Sequence, residues 1–187
     1  MGPGRRSSPQ PKSRSLRPKP LREGPDWANM DYLWSPWRYR YVAQELPPQG
    51  CIFCFKVQSE NDEENLVLYR GLNNYVLLNL FPYTSGHLMI APYRHIGQLS
   101  QADDATLTEM MALTRKAEQA LQKAYNPEGI NLGMNLGKSA GAGIADHIHM
   151  HVLPRWHADS NFMSVIAETR VLPELLADSY RKLKPLF

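Results

Sequence analysis

Three histidines stand at strict two-residue spacing in the stretch DHIHMHVLPRW: His147, His149 and His151, alternating with the apolar Ile148, Met150 and Val152. This alternation predicts a β-strand with one buried face and a row of imidazoles on the other. Successive rings on that face would stand roughly 6.5 Å apart, too far for all three to grip one small metal ion unaided. The spacing suits an extended polyanion instead. Imidazole titrates near neutrality, so each ring can act as nucleophile, acid–base group or cation at small cost. The plainer alternatives are a solvated histidine face or a tag-like metal binder. With only six His in 187 residues, three in unbroken alternation argue against both.

Two further groups of residues carry chemistry. Immediately before the histidines, GKSAGAGIAD (residues 137–146) places three glycines and three alanines in ten positions. Small residues let backbone N–H groups close on an anion, and Lys138 and Ser139 offer a charge and a hydroxyl, so the loop reads as a phosphate nest. It lacks the G-x-x-x-x-G-K-[ST] order, which excludes a P-loop. Earlier in the chain, Cys51-Ile-Phe-Cys54 holds both cysteines of the sequence, half of a four-cysteine metal site. A redox dithiol is expected at a helix N-terminus within a βαβ unit, a context this sequence does not present. A cytosolic disulfide is disfavoured. Zinc also accepts two Cys with two His, and six His are available.

The elements that must position these groups follow from periodicity. NLVLYR, NYVLLNL, GHLMIAP and INLGMNLG read as strands, the first two joined by a turn at GLNN. KVQSENDEE reads as a polar loop. Ser100 with Asp103 marks a helix start. Leu107, Met110, Met111, Thr114, Ala117, Leu121 and Ala124 keep the helical period until NPEG stops it. A last helix is expected from about Pro173, carrying Leu175, Leu176, Tyr180 and Leu183. Strands joined by short turns predict an antiparallel sheet with helices on one face, an α+β fold.

Composition sets the setting. Hydrophobic residues make up 43% and charged residues 21% of the chain, ordinary for a soluble globule. No apolar run reaches the ~18 residues of a membrane span and no secretory signal is visible, so a cytoplasmic protein is expected. The net charge of +3 is uneven. Residues 1–29 hold seven Lys/Arg against Glu23 and Asp26, a net +5 that leaves −2 for the rest, together with six of the 15 prolines. Residues 1–29 therefore read as a disordered basic tail and 30–187 as the folded domain. The tail could touch nucleic acid or an acidic partner, although a solvated extension is the simpler reading.

His147-Ile-His149-Met-His151-Val-Leu resembles the His-φ-His-φ-His-φ-φ pattern of the histidine-triad (HIT) superfamily of nucleotidyl hydrolases and transferases. NLFPYTSGHLMIAPYRH is similar to the family's N/D-x-x-P-x-x-x-G-H-φ-φ-φ-x-P-x-x-H block. HVLPRWHADSNFM and LWSPWRYRY look like the bacterial diadenosine polyphosphate phosphorylase branch. The resemblance covers residues 30 to about 185 and implies a HIT-like fold: an antiparallel sheet with a long helix and a C-terminal helix. It implies that His149 is the nucleophile, forming a nucleotidyl-histidine, and that His151 and the backbone N–H groups of Ala142 and Gly143 stabilise phosphate oxygens. Many members have Ser or Thr near the position of Gly143, so a hydroxyl contact is missing here. Asn79 corresponds to a ribose-binding residue, Asn135 to a phosphate-side asparagine, and His87 to a residue lining the nucleophile and a reserve metal ligand.

The resemblance further implies a structural zinc held by Cys51, Cys54, His95 and His147, and no organic cofactor. Substrates would be a nucleotide and phosphate. The leading activity is phosphorolysis of diadenosine tetraphosphate to ATP and ADP; a hydrolase, a nucleoside phosphoramidase and a non-catalytic nucleotide-binding scaffold are the alternatives. A homodimer is expected, or a tetramer through LWSPWRYRY. NLGMNLG and YVLLNL would leave an apolar sheet edge, and Met110, Met111 and Leu113 spread over more than one face of the long helix.

Overall fold

The computed structural model describes residues 50–157, 159 and 174–187. The basic tail, the aromatic LWSPWRYRY segment, Pro173 and the NFM end of the last motif fall outside the described residues. In chain order the elements are α1 (Ile52–Gln58), β1 (Val67–Arg70), β2 (Asn74–Leu78), β3 (Leu88–Pro92), α2 (Asp104–Tyr125), β4 (Gly129–Gly133), β5 (Met150–Arg155) and α3 (Leu176–Leu183). Short 3-10 turns at Leu99–Gln101, Lys138–Ala140 and Lys184–Leu186 complete them. The strands form one antiparallel sheet in the order β1-β2-β3-β5-β4. The class is the expected α+β, but the helices do not share one face: α1 packs on the side opposite α2 and α3.

Alternation along the central strands divides the core in two. Val76, Leu78, Leu88, Ile90, Ile148 and Val152 point to one face, where α2 packs with Met110, Leu113, Ala117, Ala120 and Leu121, and α3 with Tyr180 and Leu183. Tyr75, Leu77, Met89 and Ala91 point to the other face, where Phe53 of α1 covers them. Removing a large side chain such as Leu121 from the first cluster is expected to cost about 2–5 kcal/mol.

Long-range hydrogen bonds lock the long helix to the sheet. Asp103 caps α2 by accepting from the Thr106 N–H at 2.8 Å. Asn126 ends it in the left-handed conformation, φ 45°. From the second turn of α2, the Glu109 carboxylate accepts from the backbone N–H groups of Leu72, Asn73 and Asn74 at 2.7–2.8 Å, clamping the β1–β2 turn.

Four further details differ from the sequence reading. The strand begins only at Met150, so His147, at a bend, and His149 lie on the approach to it. There the Ile148 N–H donates to Ile96 O at 2.7 Å, which holds the alternation without a ladder. Second, β2 is central and buried on both faces, so YVLLNL is no edge; β4, whose outer residues are exposed, is. Third, the polar loop after Cys54 begins as helix: α1 runs through Lys56, Val57 and Gln58, with Cys51 as its N-cap, so the cysteines do sit at a helix N-terminus. Fourth, Met110 and Leu113 both face the core and only Met111, 55% exposed, leaves the stripe; Ser100 lies in a 3-10 turn and Asp103 alone caps the helix. Among the described residues no helix is long and apolar enough to cross a membrane.

Candidate active site and metal cluster

The strand period turns His147, His149 and His151 to the α1 side of the sheet, and all three are buried. What each ring can do follows from the partner of its nitrogens. His149 Nδ1 lies 2.9 Å from the carbonyl oxygen of His147. A carbonyl only accepts, so Nδ1 carries the proton and Nε2 keeps its lone pair. Burial holds the His149 pKa below its ordinary value, against the opposing pull of that bond. The ring is thus a neutral imidazole at pH 7, the nucleophilic form.

On one flank of His149 a chain of bonds fixes the tautomer of His151. The backbone N–H of Tyr83 donates to His87 Nδ1 at 3.1 Å, and Asn79 Nδ2 stands 3.3 Å from the same atom. His87 must then be protonated on Nε2, which lies 2.9 Å from His151 Nδ1. His151 accepts there and carries its own proton on Nε2. Burial, with the neighbouring His149 adding to it, pushes the His151 pKa down to about 4. His151 is therefore a neutral donor. Asn79 Oδ1 accepts from the Phe81 N–H at 3.0 Å, so both ends of its amide hold the turn that carries His87.

The other flank belongs to sulfur. His147 Nε2 lies 2.8 Å from Pro92 O, so it donates there and leaves Nδ1 bare. That Nδ1 stands 3.3 Å from Cys51 Sγ and 3.6 Å from Cys54 Sγ, while His95 Nδ1 is 3.4 Å from Cys54 Sγ. The four donor atoms all lie within 4.8 Å of one another. Zn–S and Zn–N bonds of ~2.3 and ~2.0 Å set tetrahedral N–S edges of about 3.5 Å, so the residues fit a closed Cys₂His₂ zinc site. Burial and the charge of Cys51 raise the Cys54 thiol pKa, a cost that a divalent cation would reverse. Burial pushes His147 down to about 4, which keeps it a neutral ligand. The Pro92 bond is the outer-sphere contact that orients such a ligand. The sequence-predicted metal set is brought together complete.

His149 and His151 line a cleft on the α1 side of the sheet. Phe53, Ile52, Leu77 and Met89 make an apolar wall, and Asn79, Asn135, Gly141 and Gly143 line it too. Phe53, lying between the two cysteines, packs its ring 4.7 Å from that of His149 and 5.2 Å from that of His147. Ala142 is placed otherwise than expected: its N–H donates within the loop to Gly137 O at 3.3 Å. Lys138 and Ser139 are exposed on a 3-10 turn and do not line the cleft.

Sequence reasoning passed over Phe53, Lys56 and Tyr83. The spacing of Ile52, Phe53, Lys56 and Val57 is that of a short helix face and could have revealed the first two. Tyr83 contributes its backbone N–H to His87 and also its ring, which stands 4.7 Å from that of His87 and lines the cleft.

A family model, the HIT domain, matches residues 60–158. An AP-4-A phosphorylase of Mycobacterium tuberculosis is 41% identical over 158 residues, 81% of either chain. An asymmetrical bis(5'-nucleosyl)-tetraphosphatase of Schizosaccharomyces pombe is 31% identical over 93 residues, half of each chain. Among solved structures, a zinc-bound histidine triad family protein from Mycobacterium smegmatis superposes with a TM-score of 0.59 at 27% identity, covering 73% of this chain and 92% of its own.

Proposed function

The chain belongs to the HIT family, and from that premise we propose that it transfers nucleotidyl groups from diadenosine polyphosphates through His149, with phosphate as the acceptor. One observation carries the reading: the Nδ1–H of His149 is spent on the His147 carbonyl, and the free Nε2 belongs to a ring lining an apolar-walled cleft. In the first step Nε2 attacks the α-phosphorus of diadenosine tetraphosphate, the bond from that phosphorus to its bridging oxygen breaks, and ATP leaves. In the second, a phosphate oxygen attacks the same phosphorus, the P–N bond breaks, and ADP forms with His149 restored. Splitting one displacement into two is the gain of covalent catalysis.

The first step makes the His149 ring cationic, and the carbonyl of His147 then faces a stronger donor. His151 Nε2–H donates to the phosphoryl oxygens as charge gathers on them. Gly143, and Asn135 at the cleft wall, complete the anion's surroundings; Asn79 serves the ribose through its place on the turn, or acts through His87. Zinc, when bound by Cys51, Cys54, His95 and His147, ties α1 to the histidine segment as a structural ion.

The name of the Mycobacterium tuberculosis relative supports phosphate as acceptor, and that of the Schizosaccharomyces pombe relative supports water. Incubating the protein with diadenosine tetraphosphate, with and without phosphate, decides between them. ADP formed only with phosphate is the expected result; AMP formed equally without it would make the protein a hydrolase. No product in either case would leave a binding protein. Two free thiols suit a reducing cytoplasm. The β4 edge, with Leu132 51% exposed, supports a homodimer, which light scattering would report as twice 21.3 kDa.

A further inference from the structure

Lys56 is the charged side chain this mechanism leaves without work. It is 9% exposed, lies on α1 three residues after Phe53, and lines the same cleft as His149. Its Nζ donates to Asn65 O at 2.8 Å, and among the described residues no carboxylate pairs with it. An ammonium has three N–H groups and an amine two, so at least one donor remains in either state. Burying such a group without full partners is costly, which makes an unpaired donor in a cleft wall informative.

Its position says what it can meet. Residues three apart share a helix face, and Lys56 lies most of a turn, about 4.5 Å of rise, beyond Phe53, whose ring packs on His149. The cleft wall around Phe53 is completed by Leu77 and Met89, both apolar. A polyphosphate would find no partners along such a wall. A flat heterocycle would, and Lys56 lines the cleft from the same helix as Phe53, one step along it from the ring that packs on His149. Resting on the nucleotide reading above, we propose that Lys56 is a specificity-determining residue that donates a hydrogen bond to an acceptor atom on the edge of the bound base.

Calorimetry with AMP and with ribose 5-phosphate, which has no base, tests this. Lys56→Met, which keeps an apolar side chain in place, is expected to bind AMP about tenfold more weakly and ribose 5-phosphate unchanged. Equal losses for both ligands, or no loss for AMP, overturn the role of Lys56. The wild-type protein supplies a test free of folding effects: of 1-deaza-, 3-deaza- and 7-deaza-AMP, each lacking one ring-nitrogen acceptor, one should bind about tenfold worse than AMP. All three binding like AMP overturns the proposal. Wild-type protein that binds neither AMP nor ribose 5-phosphate overturns the nucleotide reading, and this inference with it.

Discussion

The two flanks of the histidine row are built from the same residue type at the same spacing and do opposite things with it. On one side, His147 donates its Nε2–H to Pro92 O and turns a bare Nδ1 toward two cysteines and His95. On the other, His151 spends Nδ1 accepting from His87 and keeps its Nε2 proton for the cleft. His149 lies between, its tautomer set by a backbone carbonyl. Residue type does not assign a histidine its role. The partner of one nitrogen does, because it decides whether the other is a donor or a lone pair.

The largest expected effect is at the centre of this comparison. His149→Ala should lower turnover by about 10⁴-fold or more, while nucleotide binding and metal content stay near wild type. Rapid-quench product assays with a matched metal analysis measure both. Activity above a few per cent would mean that the ring between the flanks is not the nucleophile.

Next comes the sulfur flank. Cys54→Ser, or exhaustive chelation of the wild type, should remove bound zinc and lower the melting temperature by on the order of 10 °C, since a closed site contributes folding free energy. Elemental analysis and calorimetry on the same sample test the link. Equal stability with and without metal would reduce the cluster to a chance meeting of ligands.

The third effect belongs to the other flank and should leave metal untouched. His87→Met removes the donor that fixes His151 and is expected to cost about 10–100-fold in kcat; His87→Gln, which keeps an N–H near the position of Nε2, should recover part of it. A loss of zinc in either variant would contradict the separation of the flanks.

How much of this was legible in the sequence differs between the flanks in the same way. The metal set could be named in advance, because ligand types and spacing carry over directly from a resemblance. The tautomer chain could not: it runs through the backbone N–H of Tyr83 and the amide of Asn79, and neither residue type announces such a bond. The sheet, the long helix and its Asp103 cap followed from periodicity and capping chemistry. The α1 helix did not, because seven residues give barely two turns and a buried Lys56 reads as solvent-facing. Ala142 is a related case: a small residue in a glycine loop permits an anion nest, but folding decides which N–H groups the loop uses on itself, and that of Ala142 donates to Gly137 O.

The smallest effect concerns pH and separates His151 from an ordinary surface histidine. Its pKa in the folded protein is pushed down to about 4, chiefly by burial, from an ordinary value near 6.5. Below pH 6.5 the unfolded chain takes up a proton that the folded protein refuses, so stability falls as pH drops. The loss runs from about pH 6.5 to about pH 4, with a slope of at most ~1.4 kcal/mol per unit from this one group. Above pH 6.5 His151 contributes no slope, since both states are neutral. Of the stability lost in urea unfolding between pH 7 and pH 5, His151 should account for up to about 2 kcal/mol, so the loss should be smaller by that amount in His151→Gln, which cannot protonate. An identical pH slope in the two proteins would show that His151 titrates normally. The donor assigned to this flank would then be a cation in mildly acidic solution, and the two flanks would differ in charge as well as in partner.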